Sequence, residues 1–294
     1  MMPARGTVSE HETMPLDGVR CADAGQHMPA GPWPARCALA IVTLAIVLGQ
    51  HQPSAAENAE IAHRRAIERK VFSDAEIADG FFKVTFGAEF HVAGGVDRIR
   101  KYDGPVRVYI DNHARPDRSA EVVAVVADIR ERIRHLDIAV VGRRADANVI
   151  VSLVRDRDLS RKIRALYGTS RARRIQRSLE PQCLSGFRKD RSFRIVHSDV
   201  ILVADVGDFV FYDCIYEELL QALGPINDDA SLSWSMFNDE VQMGFFDVYD
   251  QHILNILYHP RIRPGMAREE VLAVLPQVLP EVRAWVAATN ALSR

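Results

Sequence analysis

The order of segments along this chain predicts an α+β fold, a twisted mixed sheet packed on one long helix and one buried helix, with a helical C-terminus. Three observations carry that expectation. Alternating apolar residues at 106–110 are followed by a long amphipathic stretch at 118–136 and then by further short apolar runs, the pattern of strands set around a helix. The segment 209–223 is rich in apolar residues on most faces of a helix, so it belongs in an interior. Two more helical segments, 247–258 and 267–291, close the chain.

Residues 57–69 are polar and form a loose or helical lead-in. Ser73-Asp74-Ala75-Glu76 is a capping box, in which a hydroxyl and a carboxylate each take up a backbone N–H of the first turn. It opens a helix that turns Ile77, Phe81, Phe82 and Phe86 towards the core. Asp103-Gly104-Pro105 is a turn leading into the strand 106–110. In the helix 118–136, Val122, Val123, Val126, Ile129 and Ile133 recur at helical spacing. Residues 138–141 and 149–154 read as two more strands. The segment 161–178 carries Arg161, Lys162, Arg164, Arg171, Arg173, Arg174 and Arg177; it reads either as a solvated helix face or as a contact for anionic envelope polymers or lipids. Residues 193–196 and 200–204 read as strands separated by a bend at His197-Ser198-Asp199. An irregular connection spans 224–245, and the last helical segment is expected to break near Pro276 and Pro280.

The chain has 294 residues, 48% hydrophobic and 26% charged, with a formal net charge of −2. That is globular composition, and it gives no footing for nucleic-acid binding as the main role. Residues 37–49 form an apolar run after Arg36, short for a membrane span. Ser54-Ala55-Ala56 then offers small residues for cleavage before Glu57. The pattern predicts a secretory signal peptide, with an uncleaved anchor at 37–49 as the alternative. Residues 1–27 are polar, and Met28 opens a signal of ordinary proportions, so translation is expected to begin there. Cys37 lies at the wrong end of the apolar run for lipid attachment. The division that follows is an N-terminal extension with signal at 1–56, a lead-in at 57–72 and one domain at 73–294. Beyond the cleavage site the cysteines are Cys183 and Cys214. In an oxidising compartment such a pair predicts a disulfide rather than two separate buried thiols. It would close a loop of about thirty residues, worth roughly 3 kcal/mol.

The segment Glu217-Glu218-Leu219-Leu220-Gln221-Ala222-Leu223-Gly224-Pro225-Ile226-Asn227 has the spacing of the long zinc-protease signature, H-E-x-x-H-x-x-G-x-x-H, with every histidine replaced. The ligand positions hold Glu217, Gln221 and Asn227. Glu218 stands at the general-base position and Gly224 at the turn. Residues four apart on a helix share a face, and a glycine can end the helix and let the chain return. The spacing therefore permits a three-residue site, but its chemistry is unlike a zinc centre. Zinc prefers imidazole and thiolate, with carboxylate as a partner. Oxygen donors suit calcium, magnesium or manganese, and Asp228 and Asp229 could add charge. Without a metal-bound water Glu218 has nothing strongly acidic to deprotonate. The expectation is a hydrogen-bonded polar network with no cofactor. The alternatives are an oxygen-ligated divalent cation at these residues, or metal-free acid–base catalysis by Glu217 and Glu218.

With this motif on its buried helix, the order of segments resembles a zincin-type protease domain. Ser233-Trp234-Ser235-Met236 lies where such proteases place a methionine turn beneath the metal, and Asp250 with Leu257-Tyr258 resembles the C-terminal helix of the matrix-metalloprotease group. A narrower resemblance is to a numbered family of exported proteobacterial proteins, domain of unknown function 2927. It is carried by Phe86-Gly87-Ala88-Glu89, by Cys214-x-x-Glu217-Glu218-x-x-Gln221-Ala222-Leu223-Gly224, and by Asn227-Asp228. Ser235-Met236-Phe237-Asn238-Asp239, Leu257-Tyr258-His259-Pro260-Arg261 and Pro264-Gly265-Met266 complete it, over residues 75–275. The resemblance implies that Glu-Glu-x-x-Gln is the family's own form and not a recent loss of histidines. It also implies export, and it supplies no reaction. Pro225 stands where the family would have an aliphatic residue.

Other constellations are absent from the sequence. His91, His113, His135, His197, His252 and His259 show no metal-ligand spacing, and Gly94-Gly95 reads as a turn. There is no phosphate-binding glycine loop and no G-x-S-x-G elbow. The functional expectation is an exported, zincin-like, non-catalytic binding or structural module of the cell envelope, periplasmic or extracellular. Its partner would be an envelope component, with no nucleic acid, and with membrane contact only through an uncleaved signal. The alternative is a metal- or carboxylate-dependent hydrolase acting on peptide or peptidoglycan.

Overall fold

Five strands pair in the order β2-β1-β3-β5-β4. The computed structural model describes residues 57–86, 97–178, 182–225 and 227–292. The expected signal at 37–49, its cleavage site before Glu57, the start at Met28, residues 87–89 of the family pattern, His91 and the turn Gly94-Gly95 lie outside them. Strands β1 (Val106–Asn112), β2 (Ile138–Val140), β3 (Val149–Val154) and β5 (Ile195–Val203) run parallel, and β4 (Cys183–Lys189) closes one edge antiparallel to β5. The sheet is therefore mixed, as expected, and it is accompanied by seven α-helices among the described residues.

The alternation of side chains along the central strands builds two apolar layers. Val149, Val151 and Leu153 of β3 and Val200 and Leu202 of β5 face the main core, while Val154, Ile201 and Val203 face a second cluster. The main core is roofed by α3 (Ser119–Arg132) and α5 (Asp208–Gln221), which pack on the sheet and on each other. The second is covered by Leu159, Ile163, Ala172 and Ile175 of α4 (Asp156–Ser178). Gly168, at φ +73, breaks α4 in mid-course. Of the basic residues on it, Arg161 pairs with Asp158 at 2.9 Å and Lys162 with Asp111 at 3.3 Å. Arg164 and Arg173 face solvent.

Helices α2 (Asp74–Thr85), α6 (Val248–Tyr258) and α7 (Arg268–Thr289) form a lobe beside the sheet, and α1 (Ala59–Ile67) is the helical form of the lead-in. The capping box of α2 is present: Glu76 N–H donates to Ser73 Oγ at 3.2 Å and Ser73 N–H to Glu76 Oε2 at 2.8 Å. The crossing of α2 and α6 needs Gly80. A Cβ there would lie 2.2 Å from the Tyr249 hydroxyl, which donates to the Glu76 carbonyl.

Three expectations are corrected, and one strand was missed. The helix from Ser119 ends at Arg132, and Val123 is 46% exposed whereas Val125 is buried. Strand β4 was not read from the sequence, since its half-exposed residues and Gly186 give little alternation. Residues 195–203 are one strand, with no bend at His197-Ser198-Asp199. The polar triplet stays in the sheet because its side chains are satisfied there: Ser198 Oγ bonds Tyr102 Oη at 2.8 Å and the Ala222 carbonyl at 2.9 Å, and His197 meets Asp199 at 3.2 Å. Helix α7 runs through Pro276 and Pro280 without interruption. Both prolines, and Leu272, whose carbonyl loses its partner, are exposed, so water can take up the freed carbonyls. Helix α7 is long and apolar enough to span a membrane by length and composition, with Val271, Leu275, Val278, Leu279, Val282 and Val286 buried inside the fold.

Candidate functional site

Helix α5 is buried over most of its surface, as its composition requires. Cys214, Glu217, Glu218 and Gln221 fall on one stripe of it, three, four and seven residues apart. At the start of the stripe a Cys183–Cys214 disulfide ties α5 to strand β4, with the Cα atoms 5.7 Å apart. The expected pairing of the two cysteines is therefore found. At its end Gln221 Oε1 accepts from Ser185 Oγ of β4 at 3.3 Å, and Gln221 Nε2 donates to the Asp228 carboxylate at 3.1 and 3.3 Å.

The chain returns to α5 through Gly224. Leu223 N–H and Gly224 N–H bond the carbonyls of Leu220 and Gln221, and Gly224 takes φ +144, a conformation that favours glycine. Residues 227–229 then diverge in role. Asp228 turns inward to Gln221. Asn227 Nδ2 donates to the Lys83 carbonyl of α2 at 3.0 Å. Asp229 accepts from Ser231 N–H at 2.9 Å. Asn227 is thus spent on a neighbouring helix, and Asp229 on its own turn.

A second return, 235–244, begins at the Ser235-Met236 turn expected beneath the site, but its Asp239 was not read as a site residue. Asp250 of α6 is fully buried and holds it: Asp250 Oδ1 accepts from Ser235 Oγ at 2.6 Å and Oδ2 from Met236 N–H at 2.8 Å. Asn238 Nδ2 donates to the carbonyls of Ala230 and Leu232 at 3.3 and 3.2 Å. Asp213 of α5 accepts from the N–H groups of Met243 and Gly244 at 2.7 and 3.1 Å. These bonds place Asp239 beside α5, and one carboxylate oxygen from each of Glu217, Asp228 and Asp239 lies within 4.8 Å of the others. The acidic residues after the signature were visible in the sequence; which of them converge depends on the Asn238 and Asp213 bonds, which no spacing rule reveals.

Burial and the charges of Glu218, Asp228, Asp213 and Asp239 hold the Glu217 carboxyl well above the ordinary carboxylate range. Burial likewise pushes Asp213 up to about 6. Glu218, expected as a base, is 6% exposed, so it faces the interior rather than an open cleft. The raised value has a definite sign. In the fold Glu217 keeps its proton to higher pH than in the unfolded chain, so its contribution falls as pH rises from the ordinary carboxylate range through the raised value, then levels off. We predict that Glu217→Gln, which cannot ionise, is more stable than the wild type at pH 8 in chelator by on the order of 1 kcal/mol, and equal to it at pH 4. Urea unfolding at both pH values measures this; a variant less stable at pH 8 would show that the ionised carboxylate is held by a favourable partner.

A zinc ion does not fit the three signature positions. Glu217 is the sole anionic donor among them, Gln221 Oε1 already accepts from Ser185, and the Asn227 amide is turned to the Lys83 carbonyl. His252 and His259 are engaged elsewhere. His252 Nδ1 bonds the Val248 carbonyl at 2.7 Å, and burial lowers its pKa to about 4. His259 Nε2 meets Glu281 at 3.3 Å.

The fold and site define an α+β domain with a carboxylate-rich, disulfide-tied helix. A family model described as a protein of unknown function (DUF2927) matches residues 74–277, and the chain belongs to that family. The match spans α2 to the middle of α7 and takes in the whole candidate site. No curated protein matches the chain.

Proposed function

We propose that this is an exported protein whose zincin-like domain carries a hydrogen-bonded network in place of a zinc centre, and that it serves as a binding or structural module of the cell envelope. The observation that carries this reading is the commitment of the signature side chains. Gln221 is bonded on both sides, to Ser185 and Asp228, and Asn227 to Lys83. Glu218 is buried. The two amides are thus committed to protein partners and are not held open for a ligand. The zincin-like assignment draws on a mixed sheet with one antiparallel edge strand, a buried helix ended by Gly224, and a Ser235-Met236 turn anchored by Asp250. The disulfide is compatible with an oxidising compartment.

A second reading is favoured by the convergence of Glu217, Asp228 and Asp239. Three carboxylates can hold a hard divalent cation, and the protein would then be a hydrolase of peptide or peptidoglycan with Glu218 as base. One experiment separates the two: elemental analysis of residues 57–294 isolated without chelator. The network reading expects no stoichiometric metal, and one zinc per chain would overturn it. One calcium, magnesium or manganese per chain, lost on Glu217→Ala, would favour the second reading and direct the search to metal-dependent hydrolysis.

A further inference from the structure

Away from α5, a cavity of about 420 Å³ opens beside the N-terminal ends of β1 and β2, within the range of small-molecule sites. Its lining includes Lys101, Tyr102, His135, Tyr258, Ile262 and Arg263. Lys101 is 5% exposed. Its ammonium donates to the carbonyls of Leu257 and Ile262 at 2.8 and 2.7 Å and lies 5.2 Å from the centre of the Tyr258 ring. An ammonium has three donors, so one is left. No carboxylate forms an ion pair with Lys101 among the described residues. The last turn of α6, which supplies the Leu257 carbonyl, offsets part of the charge through its dipole.

We propose that this cavity binds a small organic carboxylate, with the Lys101 ammonium at its base and the Arg263 guanidinium and His135 imidazole beside it. Arg263 is exposed and forms no ion pair among the described residues. Two acids also line the cavity, Asp103 and Asp137. Asp137 is already held by two Arg107 nitrogens at 2.9 Å; Asp103 is solvent-exposed, and its charge acts on the Lys101 ammonium without forming an ion pair with it. A planar guanidinium fork and one ammonium N–H match the two oxygens of a carboxylate. Pro105, Leu136, Pro260 and Ile262 supply apolar lining. The Tyr102 hydroxyl is committed to Ser198 and that of Tyr258 to the Leu223 carbonyl, so neither competes for the ligand's carboxylate.

This inference is independent of the proposed role of α5. Its test is calorimetric titration and thermal unfolding of the residues 57–294 protein with benzoate, with benzamide as the neutral isostere and inorganic phosphate as a separate arm. Benzoate is expected to bind once per chain and to raise the melting temperature by about 3–6 °C at roughly ten times its Kd. Benzamide is expected to have no such effect. Arg263→Ala changes an exposed side chain and is expected to weaken benzoate at least about tenfold. Lys101→Met is expected to abolish binding; if it does not fold, Arg263→Ala carries the decision. Equal action of benzoate and benzamide, unchanged affinity in Arg263→Ala, or a response to phosphate alone would each overturn the assignment.

Discussion

Replacing both Cys183 and Cys214 by serine is expected to lower the melting temperature by roughly 6–12 °C, the effect of about 3 kcal/mol on a domain of this size. The two residues are separated by 31 positions in sequence, so the bond removes considerable freedom from the unfolded chain. Its position adds a second reason. Strand β4 is an edge strand, paired on one side alone, to β5. Its remaining ties to the interior are side-chain packing and the Ser185–Gln221 bond. Without the disulfide, the edge carrying Ser185 is free to separate from α5. The control is the wild-type protein in reductant, which removes the bond without placing new hydroxyls against the core, where Cys214 is 7% exposed. Thermal unfolding of oxidised wild type, reduced wild type and variant should give one high and two low midpoints. Three equal midpoints would show that the bond constrains nothing.

The parts of this fold that could be read in advance are those where one physical signal dominates. Ser73 and Glu76 form a local device whose partners are three residues apart, and it is found as expected. The run 149–154 is apolar but for Ser152 and becomes the central strand β3, buried along its whole length. The failures have a shared cause, in that the deciding partner is remote. His197-Ser198-Asp199 looks like a break until Tyr102 and Ala222 are seen to satisfy Ser198. Pro276 and Pro280 look like breaks until the exposed side of α7 is known. Strand β4 owes its place to a neighbour and a disulfide rather than to its own pattern.

The site divides along the same line. That Glu217 and Gln221 share a helix face followed from their spacing. That Asn227 leaves for the Lys83 carbonyl, while Asp239 rather than Asp229 joins Asp228 there, did not. A signature describes where ligands stand in a family that has a metal. With amides in those positions, each side chain goes where its own donors and acceptors are best satisfied. Acidic residues are then collected by the hydrogen bonds of their neighbours, as Asn238 and Asp213 do for Asp239.

Gly224→Ala is expected to cost about 3 kcal/mol or more, through strain at a positive φ together with overpacking. An added Cβ would lie 2.4 Å from the Arg100 carbonyl oxygen and 3.0 Å from Leu257 Cδ2. The obstacle at Arg100 is main chain, and that main chain is fixed on both sides: Ile99 bonds Met266 and Gly265, and the Lys101 carbonyl accepts from Ile195 N–H. Neither it nor the glycine can yield cheaply. Gly142, where a Cβ would meet nothing within 4 Å, is the matched control, and Gly142→Ala should change stability by no more than about 0.5 kcal/mol. Urea unfolding of the two variants measures the difference. The turn at Gly224 also returns Asp228 to Gln221 and Glu217. A folded Gly224→Ala protein should therefore lose part of the like-charge pressure on Glu217, and its stability should fall less steeply than that of the wild type as pH rises above the ordinary carboxylate range, because the Glu217 carboxyl is held above that range. If Gly224→Ala were as mild as Gly142→Ala, the close approach to Arg100 would not exist, and the convergence of acids on α5 would lose its structural basis.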